Sequence, residues 1–173
     1  MYCQQEDRRL EKPAILLTEV SISKDTFDGN FNDCRLIGED LIDAYLPYGK
    51  FCRGNLHRVK LQNAILNNSR FDHSDLSIAD LTGTNLYFAS LVKTNLAGAD
   101  LTGANLQYAD LSYANLRGAI LSRTNFCGAN LYKADLTKAV FDKTNFCRAR
   151  NVDFDRAYLD SLSIDIDGLP CLR

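Results

Sequence analysis

The sequence has little of what most protein chemistry needs. Only two of its 173 residues are histidine, and the six cysteines, at 3, 34, 52, 127, 147 and 171, include no C-x-x-C pair. Zinc sites draw on closely spaced Cys and His, so neither a metal centre nor a disulfide framework is expected. There is no glycine loop of the phosphate-cradling kind and no dinucleotide fingerprint, which leaves no cofactor to expect. No apolar run approaches the ~20 residues that cross a bilayer. The opening Met1-Tyr2-Cys3-Gln4-Gln5-Glu6-Asp7 lacks the basic and apolar regions of a secretory signal, so the expected location is cytoplasmic. A large excess of acids or of bases is missing as well. A net charge of -2 does not suit a general binder of nucleic acid or of membrane surfaces. With 46% hydrophobic residues, the chain is expected to form one domain with a proper core.

What the sequence does have is a strict period of five. Across residues 31–146 every fifth residue is Leu or Phe, which makes 24 consecutive centres, 18 Leu and 6 Phe. Two residues before each centre stands Gly, Ala, Ser, Thr or Cys in 22 of 24 units, with Glu39 and Val59 as the exceptions. The residue just before the centre is Asn or Asp in 15 of 24. Ala99-Asp100-Leu101-Thr102-Gly103 and Ala104-Asn105-Leu106-Gln107-Tyr108 show the unit plainly.

Neither regular element can use this period. On an α-helix each five-residue step turns about 140°, so the Leu side chains would share no face. In a continuous strand an odd period sends successive centres to opposite sides. A chain that turns once per unit puts every centre inside. Three extended residues then form a wall, with the small residue and the Leu/Phe facing inward, and two residues make the corner. Gly38, Gly83, Gly98, Gly103, Gly118 and Gly128 fall at the last corner position, where a positive φ is often needed. Phe31, Phe51 and Phe71 recur every 20 residues, as do Phe126 and Phe146, and Cys127 and Cys147. Four units per coil, stacked like on like, follow from that recurrence.

These repeats resemble the pentapeptide-repeat family, whose pattern is A(D/N)LXX. The resemblance covers about two thirds of the chain. It implies an all-β fold, a right-handed quadrilateral parallel β-helix, of a kind found in bacteria and abundant in cyanobacteria. With ~4.8 Å between neighbouring coils, seven to eight coils give a rod roughly 35 Å long. The expected organisation is a cap or irregular segment over 1–14 and a β-helix over 15–169. Within the β-helix, 29–148 is regular, 15–30 is a degenerate first coil, three extra residues fall near 148–152, and 152–169 is a closing coil. Glu39 stands at an inward position, where an unpaired buried carboxylate is costly. It is therefore expected near an open end or where the backbone bends.

Sorting outward residues into columns twenty apart yields one candidate partner surface. The face of Leu46, Leu66, Leu86 and Leu106 carries Tyr45, Tyr48, Tyr87, Phe88 and Tyr108, and the adjoining edge carries Lys50, Arg53 and Arg70. Aromatics beside arginine are the composition of protein interfaces. The bases Lys133, Lys138, Lys143 and Arg148 fall at successive corners and ring the rod, whereas a nucleic-acid backbone wants a stripe. Asp72-His73-Ser74-Asp75 invites a catalytic reading, but the repeat frame turns Ser74 inward and Asp72 and His73 outward, so they do not converge. Cys127 and Cys147 should stack one coil apart with parallel side chains, as two free thiols.

The expectation is a protein without catalytic, metal or cofactor residues that serves as a rigid interaction module. It should bind a protein partner, with no direct contact to nucleic acid or membrane, and an end of the solenoid offers a surface for a homodimer. The resemblance also implies an alternative. Some family members mimic DNA by shape and acidic surface, bind DNA gyrase, and protect it from quinolones. Here the shape agrees, but residues 111–150 hold seven bases against two acids.

Overall fold

Five residues suffice for one wall of a square and one corner, and the computed structural model, which describes residues 29–153, repeats that unit through residue 150. In each unit the residue before the centre forms a parallel bridge to the residue twenty positions on, from Asn30 with Lys50 to Asn130 with Arg150. Twenty residues therefore close one coil, and four pentapeptides make its four walls. Each wall contributes a single bridged residue, so no wall grows into an extended strand.

The backbone hydrogen bonds follow one rule. The centre Leu56 donates its N–H to the Asp75 carbonyl at 2.7 Å, and the corner residue Arg58 donates to Ser77 at 3.0 Å. Asn55 donates to Cys34 in the coil on the other side at 2.8 Å, and Val59 closes the corner by donating back to Leu56 at 3.0 Å. Coil-to-coil bonds thus satisfy the donors that a short wall cannot satisfy alone.

Every fifth residue from Asp33 to Arg148 has a positive φ, between 54° and 71°. Glycine fills six of these corners, as the sequence suggests, but side chains fill the other eighteen, including β-branched Ile78 at φ 57°. Geometry, rather than residue type, demands the left-handed backbone there, because each corner must turn the chain within two residues. An L-residue in this region costs about 1–2 kcal/mol, which the coil-to-coil bonds outweigh. Ile78 is also half exposed, so its side chain contributes little core. Ile78→Gly should therefore raise stability by about 1 kcal/mol, read in denaturant melts. A loss of stability instead would show that Ile78 packs on its neighbours.

The Asn/Asp preference has a mechanism. Its side-chain oxygen accepts the N–H two residues on, as Asp100 accepts Thr102 at 2.9 Å, which pins the start of the corner. The amides also ladder between coils, with Asn115 donating to Asn95 at 2.9 Å and Asn95 to Asp75 at 3.0 Å.

The axis is filled by the centres. Phe31, Phe51 and Phe71 stack with ring centroids 4.9 and 4.7 Å apart and nearly parallel planes, and Phe126 and Phe146 stack at 5.2 Å on another wall. The inward position must be small because the centre leans over it. A Cβ on Gly49 would stand 2.6 Å from the Phe51 ring. Glu39 is exposed, in the first of the described coils, so no carboxylate is buried there. After Arg148 the next positive φ falls at Asn151, so the five-residue beat breaks within 148–152. The cap over 1–14, most of the degenerate coil and nearly all of the closing coil lie outside the described residues.

The thiol expectation needs a correction. Cys127 and Cys52 are free, but Cys34 and Cys147 are each disulfide-bonded. Stacked, parallel Cys127 and Cys147 do not pair with each other, as the geometry of stacked walls requires. Cys34 and Cys147 stand in the first and last of the described coils, which have a described neighbour on one side only. Repeat spacing carries no information about what closes the other side.

Candidate partner surface

The corner that follows the Leu46–Leu66–Leu86–Leu106 wall reads Tyr48, Asn68, Phe88, Tyr108, Gly128 along the rod, all with positive φ. Residues stacked at one corner stand about 4.8 Å apart, close to the thickness that lets aromatic rings lie on one another. Phe88 and Tyr108 do so, with centroids 5.1 Å apart and planes 15° from parallel. Tyr87 sits edge-on to both, at 4.7 and 5.8 Å. Gly128 makes room for this arrangement, since a Cβ there would stand 2.7 Å from the Tyr108 ring. Phe88 remains 51% and Tyr108 44% exposed, a large apolar area to leave in water unless something covers it.

The rest of the surface expected from the columns is less unified. Tyr48 and Tyr45 are exposed, but Asn68 separates Tyr48 from Phe88 in the column. Lys50, Arg53 and Arg70 are exposed, yet both arginines are occupied. Arg53 grips Asp33 through two bonds of 2.7 Å and holds that carboxyl below its usual range. Arg70 grips Asp72 at 3.1 and 2.9 Å. Burial alone would push the half-buried Asp72 up, but the hydroxyl of Ser90, the Arg70 guanidinium and the amide of Val92 together hold it down. These charges answer carboxylates of the same rod, 20 and 2 residues away, and repeat spacing alone does not disclose such pairing.

Two arrangements resemble catalytic ones and fail on proton direction. Ser74 is buried and donates to the Phe71 carbonyl at 2.7 Å, while His73 is exposed at a corner. His57, Ser77 and Asp75 form a chain, His57 Nδ1 to Ser77 at 2.9 Å and Ser77 to Asp75 at 2.6 Å. The serine gives its one proton to Asp75, so His57 must donate to the serine and cannot deprotonate it. Among the described residues no three of His, Cys, Asp and Glu gather as a metal would require. A further cluster that sorting by face did not single out joins Tyr113 and Tyr132, 19 residues apart and in different columns, with Lys93 and Lys133.

The bridges and corners define a repeat solenoid with four walls to each coil, and comparison with known proteins gives its family. Residues 55–87, 79–118 and 109–148 match the model for pentapeptide repeats, in eight copies, so the chain belongs to the pentapeptide-repeat family. That membership implies a right-handed β-helix. Rfr23, a pentapeptide repeat protein from the cyanobacterium Cyanothece 51142, aligns at 29% identity and a TM-score of 0.55, over 68% of this chain and 90% of its own. A pentapeptide repeat protein of the Arabidopsis thaliana thylakoid lumen aligns at 26% and 0.54, over 56% and 68%. QnrB1, a plasmid-mediated fluoroquinolone resistance protein, aligns at 18% and 0.44, over 79% and 89%. No curated protein sequence matches the chain. No helix among the described residues is long and apolar enough to cross a membrane.

Proposed function

We propose that this protein is a non-enzymatic module that binds a protein partner, with the partner seated on the corner of Tyr87, Phe88 and Tyr108. The observation that carries this is the interlocked ring group, exposed on a backbone that the coil-to-coil bonds hold rigid. Aromatic side chains placed in advance lose little entropy on binding and bury large area, which is the make-up of interface hot spots. Tyr45, Tyr48 and Lys50 would line the rim. Arg53 and Arg70 contribute less, because binding through them means exchanging one carboxylate for another.

The gyrase-directed alternative asks for an acidic imitation of phosphate, and here acids and bases pair within the surface, as in Asp33 with Arg53 and Asp135 with Arg117. Neither direct nucleic-acid binding nor membrane binding fits the small net charge. Dimerisation through an end of the rod would leave this mid-rod corner open. A cytoplasmic location sits poorly with disulfide-bonded Cys34 and Cys147, since a reducing compartment keeps thiols reduced. Thiol counting in fresh lysate decides between the compartments.

The test is a double variant. Phe88→Ala with Tyr108→Ala should remove capture of partner from the source organism, while the melting temperature shifts little because both side chains are half exposed. The control changes Thr102 and Ser122, on the Leu101 wall, and should leave capture intact. Equal capture by both doubles would mean that the aromatic corner is not the working surface.

A further inference from the structure

A second surface differs in chemistry from the aromatic corner. It lies at the next corner of the square, where the column reads Arg53, His73, Lys93, Tyr113, Lys133, each with positive φ and each in the coil after the last. The ammonium of Lys93 sits 5.9 Å from the centroid of the Tyr113 ring, and that of Lys133 sits 5.5 Å from the same ring. Lys133 is also 5.3 Å from the ring of Tyr132, which stands at 90° to Tyr113 with centroids 5.5 Å apart. Both rings are close to half exposed. Neither lysine has an ion pair among the described residues. The acids in the flanking columns are already used: Asp72 by Arg70 and Ser90, Asp135 by Arg117, and Asp110 by Ser112 and Asn130.

Arg53, Lys60, Arg70 and Arg117 find carboxylates, whereas among the described residues Lys93 and Lys133 are the cations that stand over aromatic rings. Two cations held over ring faces, with no counter-charge, leave an attraction unanswered. Lys93 and Lys133 are two coils apart in one column, so their backbones stand about 9.6 Å apart. An extended peptide advances about 3.3 Å per residue, so carboxylates three residues apart span that interval. The half-exposed ring of Tyr113 lies between the two lysines in the column and can pack against an apolar side chain from the same segment.

We propose that the corner of Lys93, Tyr113, Tyr132 and Lys133 is a docking site for an extended acidic segment of a protein partner, with two carboxylates straddling Tyr113. The site is independent of the aromatic corner of Tyr87, Phe88 and Tyr108. Charge complementarity sets both the occupant and the behaviour of the complex, which should weaken as salt rises.

The experiment uses the full chain and fluorescein-labelled peptides in anisotropy titrations. The probe is an extended peptide with two glutamates three residues apart and a leucine between them, and the control carries glutamine in their place. The acidic peptide should bind and the glutamine peptide should not. Lys93→Gln with Lys133→Gln should weaken binding by about ten-fold or more, and Lys93→Arg with Lys133→Arg should retain it. Tyr113→Ala should weaken binding several-fold, whereas Phe88→Ala with Tyr108→Ala should leave it unchanged, which separates this site from the other reading. Equal binding of the two peptides, or full affinity in the double glutamine variant, would overturn the proposal. So would a single-stranded oligonucleotide of equal charge that binds more tightly than the peptide, since the occupant would then be nucleic acid. Sedimentation that shows wild type, but not the double glutamine variant, self-associating without peptide would also overturn it, making the site a contact between copies of this chain.

Discussion

Replacing Phe51 by alanine should destabilise the protein by about 3–5 kcal/mol, among the largest effects of any single truncation in the rod. Phe51 is 1% exposed and lies between Phe31 and Phe71, with centroids 4.9 and 4.7 Å away on its two faces. Both flat contacts vanish together. The cavity cannot close, because the coils above and below are held in register by Phe51 donating to Arg70 at 2.7 Å and by Lys50 donating to Gly29 at 2.7 Å. Neighbouring side chains offer no filler either, since the flanking inward residue is Gly49. Phe31→Ala should cost less, because Phe31 is partly exposed whereas Phe51 is buried. Urea melts of both variants check this. A cost below about 1 kcal/mol for Phe51→Ala would mean that the stack relaxes as a liquid would, against the rigid rungs.

That stack is legible in the sequence, and the reason is the arithmetic of the repeat. A five-residue unit with a twenty-residue recurrence allows four walls, and each inward residue then has one place to go. Inward positions are limited by volume, so Leu, Phe and Ala mark them. The corners are half legible. Six glycines point to positive φ, but nothing in the types of Ile78, Tyr113 or Lys133 announces a left-handed backbone, because hydrogen bonds to adjacent coils impose it on whatever residue stands there. Glu39 is a residue that the core cannot hold, and the end of the described stack is where it sits.

Surface chemistry is legible only to the level of the column. Sorting by twenties puts Phe88 over Tyr108, and the rings do stack. It cannot show that Arg53 and Arg70 are spent on Asp33 and Asp72, since ion pairing depends on rotamers and not on spacing. It also passes over Tyr113 and Tyr132, which meet across two adjacent columns in successive coils. A diagonal neighbour rule, pairing each residue with those 19 and 21 positions away, finds them. Ser90 with Asp72 and Gln62 with Asp80, each 18 apart, need a step of two columns, where outward side chains reach across a wall. Cys34 and Cys147, the disulfide-bonded cysteines among the described residues, stand at the ends of the described run, where the columns offer no further neighbour to read.

An aspartate in place of Ala104 should destabilise the protein by about 4 kcal/mol at pH 7, and the penalty should depend on pH. Ala104 is fully buried, and its column neighbours are Thr84 and Thr124. Their hydroxyl protons are committed to the carbonyls of Leu61 and Leu101, both at 2.7 Å, so neither can turn to stabilise a carboxylate without abandoning a buried acceptor. The backbone N–H of Ala104 is likewise committed, to Leu101 at 2.9 Å. The introduced carboxylate, if ionised, would thus lie in a dry core with no donor, and its folded pKa must rise well above the ~3.9 of an unfolded chain. For an acid whose folded pKa is raised, the sign is fixed. Below about pH 4 both states hold the proton and only the volume of the new side chain counts. Above it the unfolded chain ionises while the folded one does not, so each pH unit adds about 1.4 kcal/mol to the penalty until the folded pKa is reached. The acid sensitivity of native carboxylates such as Asp72 is common to both proteins and cancels in the difference. Urea melts at pH 4 and pH 7 should therefore show the gap between wild type and Ala104→Asp widening with pH, whereas Gln107→Asp, on the outer surface of the same unit, should stay within about 0.5 kcal/mol at both. A gap for Ala104→Asp that does not change with pH would show that its carboxylate reaches water, and that position 104 does not face a closed core.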